Sequence, residues 1–254
     1  MTKYFYCQSY QAFSMALSMS LYNDIVIITS TENIVKACNF LKINYLEHKH
    51  FTLNELLYRK NEVIKEIQGI ISIVKDNEIH FSHTQFAIFC FLLVHFFNKN
   101  GGRTIFHNFE YVYSDTKLTS LTKIFYIYAK FYQTLLKNIY KIPVEVRTSS
   151  SNSFMICLNL KYIFKHSYLI DNKDIYYHEI QNMYLNYEFE YPKIENLFIA
   201  QTFTDYNFFR KDKIEELLPV INNEKIHVKN HPKLGKVKDL EKCSEIPDYL
   251  PVEL

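Results

Sequence analysis

The feature that most constrains this chain is the alternation of short apolar runs with longer amphipathic segments in its first half. "KYFYC" (3–7) and "DIVIIT" (24–29) are β-branched or aromatic runs with the length of buried strands. "YQAFSMALSMSL" between them has apolar positions at helical spacing, and "STENIVKACNFL" opens with a Ser-Thr pair suited to a helix N-cap. This strand–helix–strand order predicts an α/β layer with a mainly parallel sheet.

The same alternation continues along the chain. "TLNELLYRKNEVIKEIQGIISIV" (52–74) predicts one long helix, broken near Gly69, and "EIHFSH" (78–83) predicts the next strand. "RTIFHNF" (103–109) predicts a further strand after an apolar helix. The segment 117–140 predicts a helix with lysines on one side and aromatic residues on the other.

The middle of the chain gives a less regular pattern. "TSSSNS" (148–153) predicts a polar loop, and "FMICLNLKYIF" (154–164) fits either a strand pair or one long strand. Residues 166–195 are Tyr-rich and polar, which suggests a crossing between two lobes.

A second α/β unit comes next, predicted as a strand at 196–203, a helix at 211–221 and a strand at 225–230. We therefore expect an N-terminal α/β lobe over residues 1–165. A linker and a partial C-terminal lobe should occupy residues 166–254.

Composition excludes several classes of protein. Glycine occurs only 4 times and neither a GxGxxG nor a GxxxxGK[ST] pattern is present, which argues against a glycine-rich phosphate loop. A net charge of +2 is too small to indicate nucleic-acid binding. The 5 cysteines are odd in number and form no CxxC, so neither disulfides nor zinc are expected. The longest apolar run, 86–97, is too short to span a bilayer, and no signal-peptide pattern opens the chain. These features predict a cytoplasmic protein.

The strand predicted at 225–230 runs into "KNHPK". Pro232 disfavours the α conformation at His231, which would hold the imidazole in an extended turn beyond the strand. An imidazole there can donate to a phosphate oxygen, and Lys229 or Lys233 can add positive charge. The same residues would also suit a capped strand end followed by a solvated basic loop.

The wider context resembles a known family. "LFIAQTFTD", a helix, "IHVKNHPK" and "IPDYLPVEL" together resemble the C-terminal lobe of bacterial GT-B sialyltransferases, namely the lipooligosaccharide sialyltransferases and the related capsular polysialyltransferases. A first strand ending at Cys7 and followed by "QSYQAFSMAL" is similar to the family's first strand and acceptor-side turn. The resemblance is specific over residues 197–254 and loose over the rest of the chain.

This resemblance implies a GT-B-like fold of two Rossmann-type lobes. It also implies inverting, metal-independent transfer of sialic acid from CMP-sialic acid to a surface glycan, in lipooligosaccharide or capsule. No cofactor is expected beyond the donor, and the absence of a DxD motif argues against a metal-dependent sugar transferase. The histidine of the His-Pro element would contact the donor phosphate. The donor-binding residues implied are Lys229, His231, Pro232, Lys233, Gln201 and Glu253.

The general base has several candidates, because the family's paired carboxylates are missing from "RTIFHNFEYVYSD". His107 occupies the matching position, and an imidazole could deprotonate a sugar hydroxyl. Glu110 or Asp115 would serve if the register slips, and His107 could equally be an ordinary strand-end residue. His80 and His83 are expected to line the same cleft.

In the family, residues beyond "PVEL" complete the nucleotide lobe, so the C-terminal lobe is expected to be incomplete here, through truncation, a shortened gene product or an altered donor site.

Two rival hypotheses remain. One rival is a non-catalytic protein that binds a glycan or a partner without turnover. The other is a transferase that uses a different sugar nucleotide, such as CMP-Kdo. The lysines after His231 further suggest peripheral contact with the inner face of the cell membrane.

Overall fold

The computed structural model describes residues 2–19, 25–82, 88–108, 120–148, 154–171, 194–199, 219–220, 222, 225–229 and 242–247. The chain divides into two compact units, Met1–Met183 and Tyr184–Leu254. Each unit contains a parallel sheet, which confirms the predicted α/β class.

A six-stranded sheet forms the centre of the first unit. Its strands are β1 (Lys3–Tyr6), β2 (Ile25–Thr29), β3 (Asn44–Glu47), β4 (Glu78–Ser82), β5 (Arg103–Asn108) and β8 (Tyr168–Asp171). The strand order is β3-β2-β1-β4-β5-β8, and every neighbouring pair is parallel. This is the order of a doubly wound, Rossmann-like sheet, in which the chain reverses its direction of winding between β1 and β4. That reversal is the point at which such sheets bind ligands.

Helices connect these strands. Those of the described ranges are α1 (Tyr10–Ser18), α2 (Glu32–Leu41), α3 (Leu53–Tyr58), α4 (Lys60–Val74), α5 (Ile88–Lys99), α6 (Ser120–Tyr140) and α7 (Leu160–His166). Side chains of α4 and α5 pack with Tyr4, Tyr6, Ile79 and Phe81 in one apolar core. Since successive side chains of a strand point to opposite faces, Phe5 and His80 lie on the other face of the sheet. None of the helices in the described ranges is long and apolar enough to cross a membrane.

The predicted helix over 52–74 is divided, but not at Gly69. The division lies at Arg59, whose φ of −110° and ψ of 40° separate α3 from α4. Thr52 closes a capping box with Glu55 at the start of α3, so this short helix has its own N-terminal signal. Gly69 lies inside α4, and a Cβ added there would meet nothing within 4 Å, so packing does not require a glycine at this position.

The prediction for "FMICLNLKYIF" was wrong in its second half. Residues Phe154–Leu158 form β7, which pairs antiparallel with β6 (Val144–Thr148), but α7 comes directly after it. Asn159 causes the change, because its side chain accepts a hydrogen bond from the backbone nitrogen of Lys161 at 3.0 Å and caps the helix.

Strand β8 falls inside residues 166–195, which the sequence suggested as a crossing between lobes. It pairs with β5 and forms the edge of the first sheet. Tyr168 lies beneath the guanidinium of Arg103, which is 4.4 Å from the ring centroid. A polar, Tyr-rich composition is compatible with an edge strand because one side of such a strand faces water.

The second unit has a three-stranded parallel sheet made of β9 (Leu197–Ile199), β10 (His227–Lys229) and β11 (Ser244–Ile246). The strand order is β11-β10-β9. Two of them match predicted strands, and β11 was not predicted. The predicted helix at 211–221 and the loop at 148–153 lie largely outside the described residues.

Candidate functional site

The carboxyl ends of β1, β2 and β3 bring together a group of polar side chains on one side of the switch point of the first sheet, which lies between β1 and β4. We call Gln8, Ser30, Thr31, His48 and His50 the Gln8 cluster. Each member directly follows a strand or lies a few residues beyond it, and parallel strands place these positions on one edge.

Gln8 is the centre of the hydrogen-bond network in this cluster. Its Oε1 accepts from the hydroxyls of Ser30 at 3.1 Å and Thr31 at 2.8 Å. Its Nε2 lies 3.2 Å from the hydroxyl of Tyr6 and 3.3 Å from Nε2 of His48. The side-chain amide therefore joins the ends of three strands.

The environment of His48 fixes its tautomer. Nδ1 lies 2.9 Å from the carbonyl of Lys49, which can only accept, so Nδ1 carries the proton and Nε2 accepts from Gln8. The ring is buried and stacks on Phe89, with 4.3 Å between the centroids. Burial lowers the pKa of His48 to about 4, so the imidazole is neutral at pH 7.

The outer side of the cluster meets solvent. Gln8, Ser30 and Thr31 are partly exposed, and His50 is exposed with Nδ1 3.4 Å from the Ser30 hydroxyl. Ser9 caps α1 beside them, accepting from the backbone nitrogen of Ala12 at 3.2 Å. Hydroxyl, amide and imidazole groups fixed at a sheet edge are suited to binding a ligand rich in hydroxyls, such as a sugar.

The other half of the same sheet carries two buried imidazoles. His80 Nδ1 and His107 Nε2 are 2.9 Å apart, within hydrogen-bonding distance, and we call these residues the histidine pair. Phe5 stacks on His80 with 4.3 Å between the ring centroids. Glu78 Oε2 lies 3.5 Å from His80 Nε2, and the other Glu78 oxygen accepts from Arg103 Nε at 2.9 Å.

Burial keeps both rings of the pair neutral. It is the main cause that lowers the pKa of His80 to about 3 and that of His107 to about 4. The positive charge of Lys3 adds to the effect on both rings. The pair is therefore uncharged at pH 7, and one nitrogen of the contact donates while the other accepts.

The predicted catalytic and cleft residues are placed differently by the structure. His107 is 0% exposed on β5, and His80 is buried within β4 instead of ending it. A general base must reach the proton that it abstracts, directly or through one water. The assignment of His107 as the base remains a prediction. Glu110, Asp115 and His83 lie outside the described residues.

Of the predicted donor-binding residues, Lys229 is the one that the structure describes. It ends β10, is 4% exposed, and its ammonium group donates a hydrogen bond to the carbonyl of Pro247 beyond β11. This contact joins the carboxyl ends of two neighbouring strands. His231, Pro232, Lys233, Gln201 and Glu253 lie outside the described residues.

Within the part of the chain that the structure describes, no three His, Cys, Asp or Glu side chains come together as a metal site. The Gln8 cluster was not singled out from the sequence, although "QSYQAFSMAL" was recognised as similar to an acceptor-side turn. A signal was present, because polar residues directly follow three successive strands in "CQS", "TST" and "EHKH". Scans against protein-family models and curated proteins find no match to this chain.

Proposed function

We propose that this protein is an inverting, metal-independent glycosyltransferase of the GT-B type. The substrates proposed are CMP-sialic acid as donor and a bacterial lipooligosaccharide or capsular glycan as acceptor. Two compact units, each with a parallel sheet, support a two-lobed α/β transferase. All 5 cysteines are free thiols, which supports a location in the reducing cytoplasm.

The observation that carries this proposal is the sheet β11-β10-β9, together with the sequence elements at the carboxyl ends of its strands. Because the three strands are parallel, these ends share one edge, where open α/β sheets bind ligands. The "NHPK" element comes directly after β10, and "IPDYLPVEL" continues from β11. A donor phosphate bound by His231 at that edge explains why an imidazole and several lysines stand after a short strand.

The reaction proposed is a single displacement. The acceptor hydroxyl oxygen bonds to the anomeric carbon as the bond from that carbon to the CMP phosphate oxygen breaks, and CMP leaves with the electron pair. A base takes the acceptor proton, and His231 with Lys229 stabilises the negative charge on the departing phosphate. His107 is the proposed base, with Glu110 as the alternative.

The Gln8 cluster supplies the proposed acceptor side. A sugar offers hydroxyl groups that both donate and accept, and the serine, threonine and imidazole groups of the cluster can match both roles. Its position at the carboxyl edge of the first sheet, beside the switch point, supports this assignment.

A second function is favoured by the burial of His107. Its Nε2 already contacts His80, and the ring has no exposed surface, which suits a structural residue better than a base. The second candidate is therefore a transferase-like protein that binds a glycan or a partner without turnover. A transferase that uses CMP-Kdo would share the same donor edge and differ in the sugar.

The test is calorimetric titration of the purified full chain with CMP in EDTA, beside UDP and GDP. We expect CMP to bind without metal, UDP and GDP to bind at least about tenfold more weakly, and His231→Ala to lose CMP binding. His227→Ala is the matched control, because it changes another histidine of the same strand region. If no nucleotide binds, the transferase proposal fails. If CMP binds but no acceptor is ever sialylated, the non-catalytic function is the better account.

A further inference from the structure

Helix α6 carries a row of large apolar side chains on its surface. Ile124, Ile127, Tyr128 and Phe131 are each more than half exposed, with exposed fractions of 55%, 67%, 60% and 57%. Their spacing of i, i+3, i+4 and i+7 places them on one side of the helix. We call these four residues the exposed α6 face.

The other end of α6 is anchored, so the orientation of this face is fixed. Leu136 and Tyr140 are buried, and α6 packs on β6, β7 and α3. The side-chain amide of Gln133 donates to the carbonyl of Val144 at 2.7 Å. These contacts lie on the opposite side of the helix from the exposed face, and they prevent the helix from turning its apolar side inward.

The charges of α6 are all of one sign. The helix contains Lys123, Lys130 and Lys137 and no Asp or Glu. Residues seven apart lie nearly above one another on a helix, so Lys130 and Lys137 form a lysine stripe on the C-terminal half of α6. The ammonium of Lys130 is 5.4 Å from the ring centroid of Tyr126, which also places this charge beside aromatic surface.

We propose that α6 docks this protein on the surface of an anionic lipid bilayer. The exposed α6 face enters the boundary between headgroups and acyl chains, and the lysine stripe lies among the anionic headgroups. An apolar and aromatic side next to a basic stripe is the pattern of helices that lie in a membrane interface. A bilayer accounts for both the apolar side chains and the lysines, because its acyl chains are apolar and its headgroups carry negative charge.

This inference is independent of the proposed transfer reaction. It uses residues of the first unit alone and none of the lysines that come after β10. A protein without any transferase activity could dock through α6 in the same way. The two proposals can therefore fail separately.

The experiment is co-sedimentation of the full chain with vesicles, either of phosphatidylcholine alone or with about 30% phosphatidylglycerol. We expect binding to the anionic vesicles, and a loss of about tenfold or more in the double variant Ile127→Ser, Phe131→Ser. The matched control is Tyr58→Ser, Ile73→Ser, which removes one aromatic and one aliphatic side chain, 86% and 54% exposed, from α3 and α4. The control should change binding by less than about twofold.

A second variant tests the charge. Lys130→Gln, Lys137→Gln should reduce binding to anionic vesicles while leaving binding to phosphatidylcholine unchanged. Thermal unfolding of each variant confirms that the fold is kept. The proposal is overturned if the unmodified chain does not bind anionic vesicles, or if the Ile127→Ser, Phe131→Ser variant binds them as well as the control variant does. It is also overturned if α6 instead mediates self-association, seen in sedimentation velocity as a dimer that the α6 variant converts to monomer without any vesicle binding.

Discussion

The Gln8 cluster and the histidine pair lie on the same parallel sheet but in opposite environments. Gln8 is partly exposed at the end of its strand, and its amide is bonded on both sides by neighbouring polar groups. His80 and His107 are buried within their strands, with Phe5 stacked on one of the rings. The first group can meet a ligand at the sheet edge, whereas the second is enclosed.

The difference shows that depth along a strand decides what a polar side chain can do. A residue just beyond the carboxyl end reaches the ligand-binding edge of an open α/β sheet. A polar residue one or two positions earlier is buried by the surrounding side chains. It must form a hydrogen bond inside the protein, because a buried polar group without one destabilises the fold. His107 is at the second-to-last position of β5, which is enough to bury it completely.

The largest effect expected from this difference is on folding. His107→Ala should lower the free energy of unfolding by about 3 kcal/mol, because it leaves a cavity and removes the partner of His80 Nδ1. Urea unfolding followed by circular dichroism measures the change. His50→Ala is the control and should stay within about 0.5 kcal/mol, because His50 is exposed. Equal effects of the two substitutions would contradict the structural role of the pair.

The second prediction concerns pH. Both rings of the pair have folded-state pKa values, about 3 and about 4, below the unfolded value near 6.5. Between these pKa values the unfolded chain binds protons at the two rings and the folded chain does not. The contribution of the pair to stability is therefore fully present above pH 6.5 and falls as the pH drops towards 4. We expect the histidine pair to account for part of the loss of stability in this range, because both rings take up a proton when the chain unfolds there.

His48 and His95, whose pKa values are lowered to about 4, act in the same direction, so the pair must be isolated by substitution. His80→Phe with His107→Leu removes both titrating rings and leaves neither one without its partner. Unfolding free energies of this variant, measured between pH 6.5 and pH 4, should decline less steeply than those of the unmodified chain. Identical slopes would show that the pair does not stay neutral in the folded state.

The smallest effect on folding is expected at the Gln8 cluster, at the carboxyl edge of the first sheet. Gln8→Ala should cost about 1 kcal/mol, because Ser30 and Thr31 lose their acceptor but can bond to water instead. If the cluster binds the acceptor, the same substitution should raise the KM for acceptor several-fold and leave CMP affinity unchanged. Steady-state kinetics with titration of CMP separates these quantities. A loss of CMP affinity without a change in acceptor KM would place the donor, and not the acceptor, at this cluster.

Much of the architecture could be read from the chain. The runs that became β1 ("KYFY") and β2 ("IVIIT") are aromatic or β-branched on both faces, a pattern typical of a buried parallel strand. Two of the strands that were missed are the edge strands of the first sheet, and they are less apolar: β3 is "NYLE" and β8 is "YLID". Edge and half-buried strands depend on pairing with a neighbour that is distant in sequence, and periodicity does not report such pairing.

Sequence signals for where helices begin and end also conflicted, and the structure shows which of them applied. Gly69 suggested a helix break, yet the break is at Arg59, whose guanidinium lies 3.4 Å from Glu55 and 3.7 Å from Glu62 in the two helices. Asn159 could have indicated the start of α7, because asparagine is a favoured N-cap. The β-forming residues before it concealed that signal.

The sequence by itself determined the α/β class, because the spacing of apolar residues that distinguishes a strand from a helix is a local pattern among neighbouring residues. It also placed histidines and lysines after particular strands. The tertiary structure alone decided which of these side chains are enclosed and which are bonded together. Gln8 meets His48 across 40 positions of the chain, and His80 meets His107 across 27. Burial and such long-range contacts arise from how strands are ordered in the sheet, and strand order is a property of the whole fold.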